Sequence, residues 1–335
     1  MKRIKLGIIY GGMSDEHEIS IASANSIIKN LNKEKYIISK IYIDKKGAWY
    51  ENNTKIDNIT NYLKKLDIVF PVLHGKYGED GKIQGMLEMI RIPYVGCNVL
   101  SSALAMDKIH AKIIFDRANI KQAKWIYLKK DNKNYIYVDE SFNEKQISLN
   151  KISNTIKDKL KYPVFIKPAN QGSSIGISKV KNKKELKKAL DYAFKYDTKI
   201  LIEETIIGKE IECAVLEDKT LIASTPGQII SDEEFYSYNS KYKNNKSKLI
   251  VPANLSKETI NKIKQTSIKA FKAISASTLA RVDFFVNEDG IYINEINTMP
   301  GFTQISMYPK LWEYEGVTFT KLLDKIINSY VKKSN

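Results

Sequence analysis

Four polar side chains near the C-terminus have the types and spacing of a metal and phosphate site. They are Arg281, Asp283, Glu295 and Asn297. Two strand-like runs, 279–287 and 291–297, carry them, and the three residues between the runs end in Gly290, which tolerates the φ > 0 of a hairpin loop. In that register Asp283 lies opposite Glu295 and Arg281 opposite Asn297, on one face of the sheet. Carboxylate and amide oxygens beside a cation suit Mg²⁺ holding a polyphosphate, and an exposed charged sheet face is the alternative.

The residues just after this hairpin favour the metal interpretation. A turn at Pro300-Gly301 comes directly after the acidic strand. Such a turn can bring backbone N–H groups against whatever the metal ion holds.

A second candidate segment combines a strand with a loop of small residues. The run 163–168 ends in Lys167-Pro168, and the loop 169–176 contains Gly172, Ser173 and Ser174. Its backbone N–H groups and hydroxyls could lie along phosphates, although the lysine precedes the glycines and the spacing is therefore not that of a Walker loop. A flexible turn is the alternative.

A third segment, 199–210, has the pattern of a strand, a bend and a second strand. The bend could offer backbone edges to an adenine, with Glu210 accepting hydrogen bonds from ribose hydroxyls. A purely structural hairpin explains the same pattern equally well.

The elements that position these segments alternate between strands and helices. Residues 5–10 predict a strand, the segment after it a helix to about Asn30, and 66–73 a second buried strand that runs into the glycine-rich loop 74–81. Such loops place ligands at the carboxyl edge of a parallel sheet, and no G-x-G-x-x-G fingerprint is present. Residues 98–119 predict one long helix, and 127–148 a strand-rich stretch.

Length and composition limit the classes of protein. A chain of 335 residues predicts two or three domains, with boundaries near 97 and 207. We expect no membrane partner, because the chain has no apolar run long enough to cross a bilayer. We also expect no signal peptide, because Met1-Lys2-Arg3 leads directly into a short apolar strand. Cys97 and Cys213 are isolated in the sequence, and cytoplasmic residence is the expectation.

The net charge of +16 raises the possibility of a nucleic-acid partner. Only four of the basic residues are arginine, and lysine dominates. Because base and phosphate recognition favours the planar guanidinium fork, we interpret the charge as a solvated lysine-rich surface and expect no nucleic-acid partner.

Taken together, the motifs resemble the D-alanine:D-alanine ligase family of the ATP-grasp superfamily, in family order and over essentially the whole chain. The matching blocks are 11–20, 74–81, 106–108, 167–174, 234–242 and 294–301. The resemblance implies an α/β fold of three domains: a Rossmann-like parallel-sheet domain at 1–97, a central ATP-grasp domain at 98–207 and a C-terminal one at 208–335. It also implies ATP between the last two domains, with Mg²⁺ or Mn²⁺, and D-alanine as substrate for peptidoglycan precursor synthesis.

The resemblance assigns seven residues to the nucleotide. The family binds the phosphates through the positions of Lys108, Lys167 and Lys241, the adenine through those of Glu203, Glu204 and Ile206, and the ribose through that of Glu210. The metal ligands it implies are Asp283, Glu295 and Asn297.

Further positions match the family's catalytic and substrate-binding groups. Glu16 would hold the ammonium of the first D-alanine, and Ser306 with Met307 the carboxylate of the second. Arg281 and the Gly301 amide would stabilise developing negative charge.

A closing loop is also implied, because Glu16, Ser173 and Tyr242 match a hydrogen-bonded group that seals the site. His74 matches a histidine near the second substrate, whereas we interpret His17 and His110 as structural.

Three other functions stay open on the sequence alone. A D-alanine:D-serine or D-alanine:D-lactate ligase would differ mainly at the second-substrate pocket, and Ser240-Lys241-Tyr242 argues against the lactate version. A noncatalytic nucleotide-binding relative would not need the complete set of lysines and metal ligands. We expect the chain to form a homodimer.

Overall fold

Three sheets organise the chain in the computed structural model, which describes residues 3–230 and 248–331. The strands of the first sheet lie within residues 4–71, those of the second within 125–204 and those of the third within 209–297. The predicted α/β class is confirmed. The domain boundaries at 97 and 207 stay a prediction. No helix in the described parts of the chain combines the length and apolarity needed to span a bilayer.

The first sheet has a parallel centre and an antiparallel edge. Its strands are β1 (Ile4–Gly11), β2 (Tyr36–Ile43), β3 (Trp49–Glu51), β4 (Thr54–Lys55) and β5 (Ile68–Pro71), in the order β4-β3-β2-β1-β5. Strand β1 is parallel to both β2 and β5, and β3 and β4 add antiparallel pairs. The helices α1 (His17–Asn30), α2 (Ile59–Leu63) and α3 (Lys82–Met89) accompany it.

The loops after β1 and β5 leave the same edge of this sheet. Ser20 of α1 joins them, because its hydroxyl accepts from Gly11 N at 2.8 Å and donates to Val72 O at 2.5 Å. The strands predicted at 5–10 and 66–73 are therefore present, and they bring Glu16 and His74 to one place.

The structure has two helices where the sequence predicts one. The sequence predicts a continuous helix over 98–119, but the structure has α4 (Val99–Met106) and α5 (Lys108–Arg117). Asp107 separates them because its backbone is extended and its carboxylate accepts from Ile109 N and His110 N, which caps α5. The break directs Lys108, the first residue of α5, towards a cleft between the second and third sheets.

The second sheet is antiparallel throughout. It comprises β6 (Trp125–Asp131), β7 (Asn134–Val138), β8 (Glu144–Ile147), β9 (Val164–Pro168), β10 (Ser178–Val180) and β11 (Lys199–Glu204), in the order β10-β9-β11-β6-β7-β8. The helices α6 (Leu149–Lys159) and α7 (Lys183–Ala193) pack their apolar faces on it, with Ile152, Ile156, Leu186 and Leu190 fully buried. The strand-rich stretch predicted at 127–148 is confirmed.

The third sheet carries the acidic hairpin. Its strands are β12 (Lys209–Glu217), β13 (Leu221–Ala223), β14 (Gly227–Ile230), β15 (Lys248–Ile250), β16 (Leu279–Asn287) and β17 (Gly290–Asn297), with β12, β16 and β17 adjacent. Helix α8 (Lys257–Ala273) packs against one face. Since β11 and β12 belong to different sheets, the segment 199–210 is not a hairpin of its own.

The last two helices return to the first sheet. Helices α9 (Met307–Tyr314) and α10 (Phe319–Val331) share one apolar core with strands β1 and β5. A polar contact reinforces the packing, because Tyr36 OH donates to Asp324 Oδ1 at 2.8 Å.

The hairpin register agrees with the sequence prediction, although the loop does not. Asp283 pairs with Glu295 and Arg281 with Asn297, as predicted. The loop has two residues rather than three, because Asn287 pairs with Gly290. An irregularity between Asp283 and Phe284 restores the register and leaves Asn294 as the extra residue of a β-bulge.

The bulge predicts an unusual tolerance to deletion. Deleting Asn294 should preserve both pairings of the acidic hairpin, because Ile293 would still face the core and Glu295 the cleft. We expect the midpoint of thermal unfolding to fall by less than about 3 °C. Deleting Ile293, which is 1% exposed, should lower it by more than about 6 °C, because a polar residue would replace buried apolar volume. Differential scanning calorimetry of both variants is the measurement, and equal losses would refute the bulge assignment.

Candidate active site

A cavity of about 400 Å³ lies between the second and third sheets. Nine of the residues predicted from the sequence line it: Lys108, Lys167, Ser173, Glu203, Glu204, Ile206, Glu210, Asp283 and Glu295. A smaller pocket of about 80 Å³ shares Lys108, Ser173 and Glu295 with it and adds Glu16, Arg281, Asn297 and Gly301. The two spaces therefore adjoin, and they collect most of the predicted site.

Two predicted lysines line the cavity. Lys108 donates to the carbonyl of Gln171 at 2.5 Å, and burial lowers its pKa against the opposing effect of Glu295. Lys167, on β9, forms an ion pair with Glu203, and its Nζ lies 3.5 Å from Asn294 Oδ1. Both ammonium groups line the cavity, so an anion that enters it would compete for them with Gln171 O and Glu203.

Asn294 was missed by the sequence reasoning. The alternation of a regular strand would put its side chain on the core face, but the bulge adds it to the cavity wall beside Glu295. No periodic signal could have indicated this position.

The predicted adenine-contacting residues lie on β11 and the segment after it. Glu203 is buried, and burial would raise its pKa, but Lys167 and Lys112 lower that pKa to about 2. The carboxylate of Glu204 accepts from Lys124 N at 2.8 Å, so its side chain is engaged with the neighbouring chain segment. Ile206 and Glu210 complete this wall.

The acidic hairpin presents its polar side chains to both pockets, with Asp283 in the wall of the cavity and Arg281 and Asn297 in that of the smaller pocket. The guanidinium of Arg281 donates to both oxygens of Asp283, Nε to Oδ1 and Nη2 to Oδ2, each at 2.7 Å. Asn297 Nδ2 donates to Asp283 Oδ2 at 2.9 Å. Burial would lower the pKa of Arg281, but Asp283 and Glu212 raise it well above its usual value.

Glu212 is another residue that the sequence reasoning missed. It pairs with Asp283 across β12 and β16, and its Oε2 lies 3.1 Å from Arg281 Nε. The available signal was its spacing from Glu210, because residues two apart on a strand face the same side of the sheet. In the structure both side chains line the cavity.

The donor set fits Mg²⁺ bound together with phosphate oxygens. Among the residues that the structure describes, no three His, Cys, Asp or Glu side chains form a metal site by themselves. Asp283, Glu295 and Asn297 supply two carboxylates and an amide, and Mg²⁺ commonly takes one or two carboxylates and completes its shell with phosphate and water. The structure therefore suits a metal ion that arrives with a polyphosphate.

Glu16 is held tightly between two loops. A Cβ atom built on Gly75 would lie 2.3 Å from Glu16 Oε2, and one built on Gly172 would lie 2.6 Å from it. Ser173 Oγ donates to Glu16 Oε1. Both glycines are thus needed for the carboxylate to occupy this place, at the mouth of the smaller pocket.

His74 joins the same pocket through a network. Its Nε2 lies 3.0 Å from Ser23 Oγ and its Nδ1 3.2 Å from the carbonyl oxygen of Met299. Burial would lower its pKa, but Glu79 and Glu16 raise it.

Of the remaining predicted residues, Ser306 lies beside Gly301, because a Cβ built on Gly301 would be 2.7 Å from Ser306 Oγ. Met307 is buried in the apolar core and lines neither pocket. Lys241 and Tyr242 lie outside the described residues.

Comparison with known proteins identifies relatives over the full length. Residues 5–62 and 52–97 match the family model for the D-ala D-ala ligase N-terminus, and residues 114–328 match that for the D-ala D-ala ligase C-terminus. The D-alanine–D-alanine ligase of Acetivibrio thermocellus is 45% identical over 98% of this chain and 96% of its own. That of Clostridium acetobutylicum is 44% identical over 99% of each.

Solved structures share the fold. The VanG D-Ala:D-Ser ligase from Enterococcus faecalis superposes with a TM-score of 0.84 and is 36% identical, covering 98% of this chain and 100% of its own. A D-alanine–D-alanine ligase from Bacillus anthracis, complexed with ATP, has a TM-score of 0.79 and is 33% identical over 98% of each chain.

Proposed function

The chain belongs to the D-alanine–D-alanine ligase family, and from this premise we propose that it joins two D-alanines into D-alanyl-D-alanine at the expense of ATP. The observation that carries the proposal is the joined pair of pockets: one has the lysines and acids of a nucleotide site, and the other has Glu16, Arg281 and Gly301. The product serves peptidoglycan precursor synthesis.

ATP would occupy the larger cavity. Lys108 and Lys167 would neutralise its phosphates, and Glu203, Glu204 and Ile206 would line the adenine end. Glu210 would accept from the ribose hydroxyls, and Lys241 is proposed as a further phosphate ligand.

We propose Asp283, Glu295 and Asn297 as the ligands of Mg²⁺ or Mn²⁺. A bound divalent ion would neutralise charge on the phosphates and fix the γ-phosphate for transfer. Because Asp283 is also bonded to Arg281, these two groups place the metal ligand and the catalytic cation side by side.

The first step would transfer the γ-phosphoryl group. The ammonium of the first D-alanine would pair with Glu16, which puts its carboxylate near Arg281 and Gly301 in the smaller pocket. A carboxylate oxygen of this D-alanine would attack the γ-phosphorus, and the bond from that phosphorus to the β–γ bridging oxygen would break. ADP is the leaving group, and D-alanine becomes an acyl phosphate. Arg281 and the Gly301 amide would stabilise the negative charge in transit.

The second step would form the amide bond. The second D-alanine would release one proton to solvent and attack the acyl carbon as the free amine. The bond from the acyl carbon to the phosphate oxygen then breaks, and inorganic phosphate leaves with the second proton of the amine. Ser306 and the backbone of Met307 are proposed to hold the carboxylate of this substrate, and Arg281 and Gly301 would again stabilise the tetrahedral oxyanion. Ser173 and Tyr242 would exclude water by closing a loop over the intermediate, and the Ser173–Glu16 hydrogen bond supplies one half of that closure.

We further propose three domains with bounds near 97 and 207, a homodimer, residence in the cytoplasm, and no nucleic-acid or membrane partner. The lysine-rich, arginine-poor composition supports the absence of a nucleic-acid partner.

D-serine is the second candidate acceptor. The fold likeness to a D-Ala:D-Ser ligase at 36% identity favours it as an alternative. The 44–45% identity to D-alanine–D-alanine ligases ranks D-alanine first.

One assay tests the function and the acceptor together. Purified protein is incubated with ATP, Mg²⁺ and D-alanine, with D-serine and D-lactate as competitors, and the products are identified by mass spectrometry. We expect D-alanyl-D-alanine, with ADP and phosphate released in equal amounts. A mixed product in excess of the homodipeptide at equal acceptor concentrations would reassign the acceptor, and no product at all would reject the function.

The metal assignment predicts the effect of Glu295→Gln. This change keeps the shape of the side chain and removes its charge, so turnover should fall by about 10² or more in a folded protein. The matched control is Glu288→Gln, an exposed glutamate in the loop of the same hairpin, which should keep normal turnover. Near-normal turnover in folded Glu295→Gln protein would remove Glu295 from the metal site.

The Glu16 assignment predicts the effect of Gly172→Ala. The added methyl group would displace the Glu16 carboxylate, so the KM for D-alanine should rise by about tenfold or more. Gly85→Ala is the control, because a Cβ there meets only Val99 Cγ2 at 3.9 Å. If Gly172→Ala leaves the KM for D-alanine unchanged, Glu16 does not hold this substrate.

A further inference from the structure

Lys112 is a buried charge with no part in the proposed catalytic cycle. Its side chain is 4% exposed, and it does not line the nucleotide cavity. It lies on α5 four residues after Lys108, so the two side chains leave the same face of the helix. Lys108 reaches the phosphate end of the cavity, and Lys112 reaches the wall behind the adenine end.

Specific contacts hold the Lys112 ammonium in place. Its Nζ lies 3.2 Å from Glu203 Oε2 and 3.4 Å from Gln122 Oε1. Gln122 is itself anchored, because its Nε2 donates to the backbone carbonyl of Lys112 at 2.8 Å. The lysine is therefore oriented at Glu203 from behind the cavity wall, because its own side chain does not line the cavity.

The two oxygens of Glu203 have different cations. Oε1 pairs with Lys167 and Oε2 with Lys112. A buried carboxylate that loses its counterion is strongly destabilised, so one lysine alone would be bound tightly to Glu203. With Lys112 on the second oxygen, Glu203 keeps a counterion when Lys167 turns to the phosphates of a nucleotide.

The same pairing bears on nucleobase choice. An ionised carboxylate at the base end accepts a hydrogen bond from the exocyclic amine of adenine and repels the carbonyl oxygen that hypoxanthine carries at the same ring position. Discrimination of this kind depends on a polar group that stays fixed and charged.

We propose that Lys112 is a positioning residue for nucleotide recognition: by pairing with Oε2 it fixes Glu203 towards the nucleobase and leaves Lys167 to the phosphates. The inference rests on the proposed binding of ATP in this cavity. Lys112 acts through Glu203 and touches no substrate.

The test compares Lys112→Met with the wild-type chain, using ATP and inosine triphosphate. Their bases differ on one edge, where the amine at C6 becomes a carbonyl oxygen and N1 becomes a hydrogen-bond donor. We expect the KM for ATP to rise by about tenfold or more, with kcat changed by less than about threefold. The ratio of kcat/KM for ATP to that for inosine triphosphate should fall by about tenfold. Lys112→Arg, which keeps the charge, should retain part of the wild-type affinity for ATP and part of the wild-type nucleotide ratio.

A control variant separates this role from general stability. Lys325 is a half-buried lysine on the last helix that pairs with Asp218 and does not line the cavity. Lys325→Met removes this charge. It should leave both the KM for ATP and the nucleotide ratio unchanged. If Lys112→Met lowers the unfolding midpoint but keeps the wild-type nucleotide ratio, Lys112 is only structural and the inference is overturned.

A second variant and an activity-free measurement keep the test decisive. Lys112→Met combined with Glu203→Gln removes both charges and should fold even where the single change does not. If Lys112 acts through Glu203, the double variant should have the same ratio of kcat/KM for ATP to that for inosine triphosphate as Glu203→Gln alone. Calorimetric affinities for ADP and inosine diphosphate give the same ratio without turnover. If wild-type protein makes no dipeptide, the proposed function fails, yet a preference for ADP that is lost in Lys112→Met still supports the inference.

Discussion

The cleft between the second and third sheets depends on two sets of buried charges that neutralise one another. Glu203 is held by Lys167 and Lys112, and Arg281 is held by Asp283 and Glu212. Removing one member of such a pair typically costs about 3–5 kcal/mol, since the other is left charged in a poorly solvated place. The fold can therefore carry these groups into its interior only as sets, and the sets come from strands of both sheets and from α5.

This arrangement also explains how a highly charged ligand can enter. A polyphosphate with its metal ion brings both signs of charge, so it can exchange partners with the pairs already present and leave few charges unpaired. In the proposed binding mode, Asp283 would turn from Arg281 to a metal ion while Glu212 remains on the guanidinium. Lys167 would turn from Glu203 to a phosphate while Lys112 remains on the carboxylate. In both sets the residue that stays, Glu212 or Lys112, is the one that sequence reasoning did not assign.

Features that short-range periodicity determines are the ones best predicted from the sequence. Side-chain alternation and the glycine-ended loop gave the correct pairing of Asp283 with Glu295, although the true loop is shorter and the bulge at Asn294 compensates. The helix over 98–119 was wrong because a capping aspartate at 107 competes with helix continuation, and both segments are helical by periodicity. Lys112 gave no signal, because its partner Glu203 is 91 residues away and only the tertiary packing of α5 on β11 brings them together. Glu212 could have been found from its spacing to Glu210.

The Gly301 turn and the Ser173 loop, which both line the smaller pocket, are held in place by different kinds of contact. The turn that carries Gly301 is fastened to the first sheet, because Phe302 is fully buried against Phe70 and its N–H donates to Ser23 Oγ at 3.3 Å. The groups for phosphoryl transfer and those around Glu16 thus share one apolar core. The loop of the second sheet meets this core through polar contacts, including Ser173 with Glu16. Since polar contacts can be replaced by water, separating that loop from the core exposes little apolar surface. The Gly301 turn is therefore held by apolar packing, whereas the Ser173 loop is joined to Glu16 by a hydrogen bond.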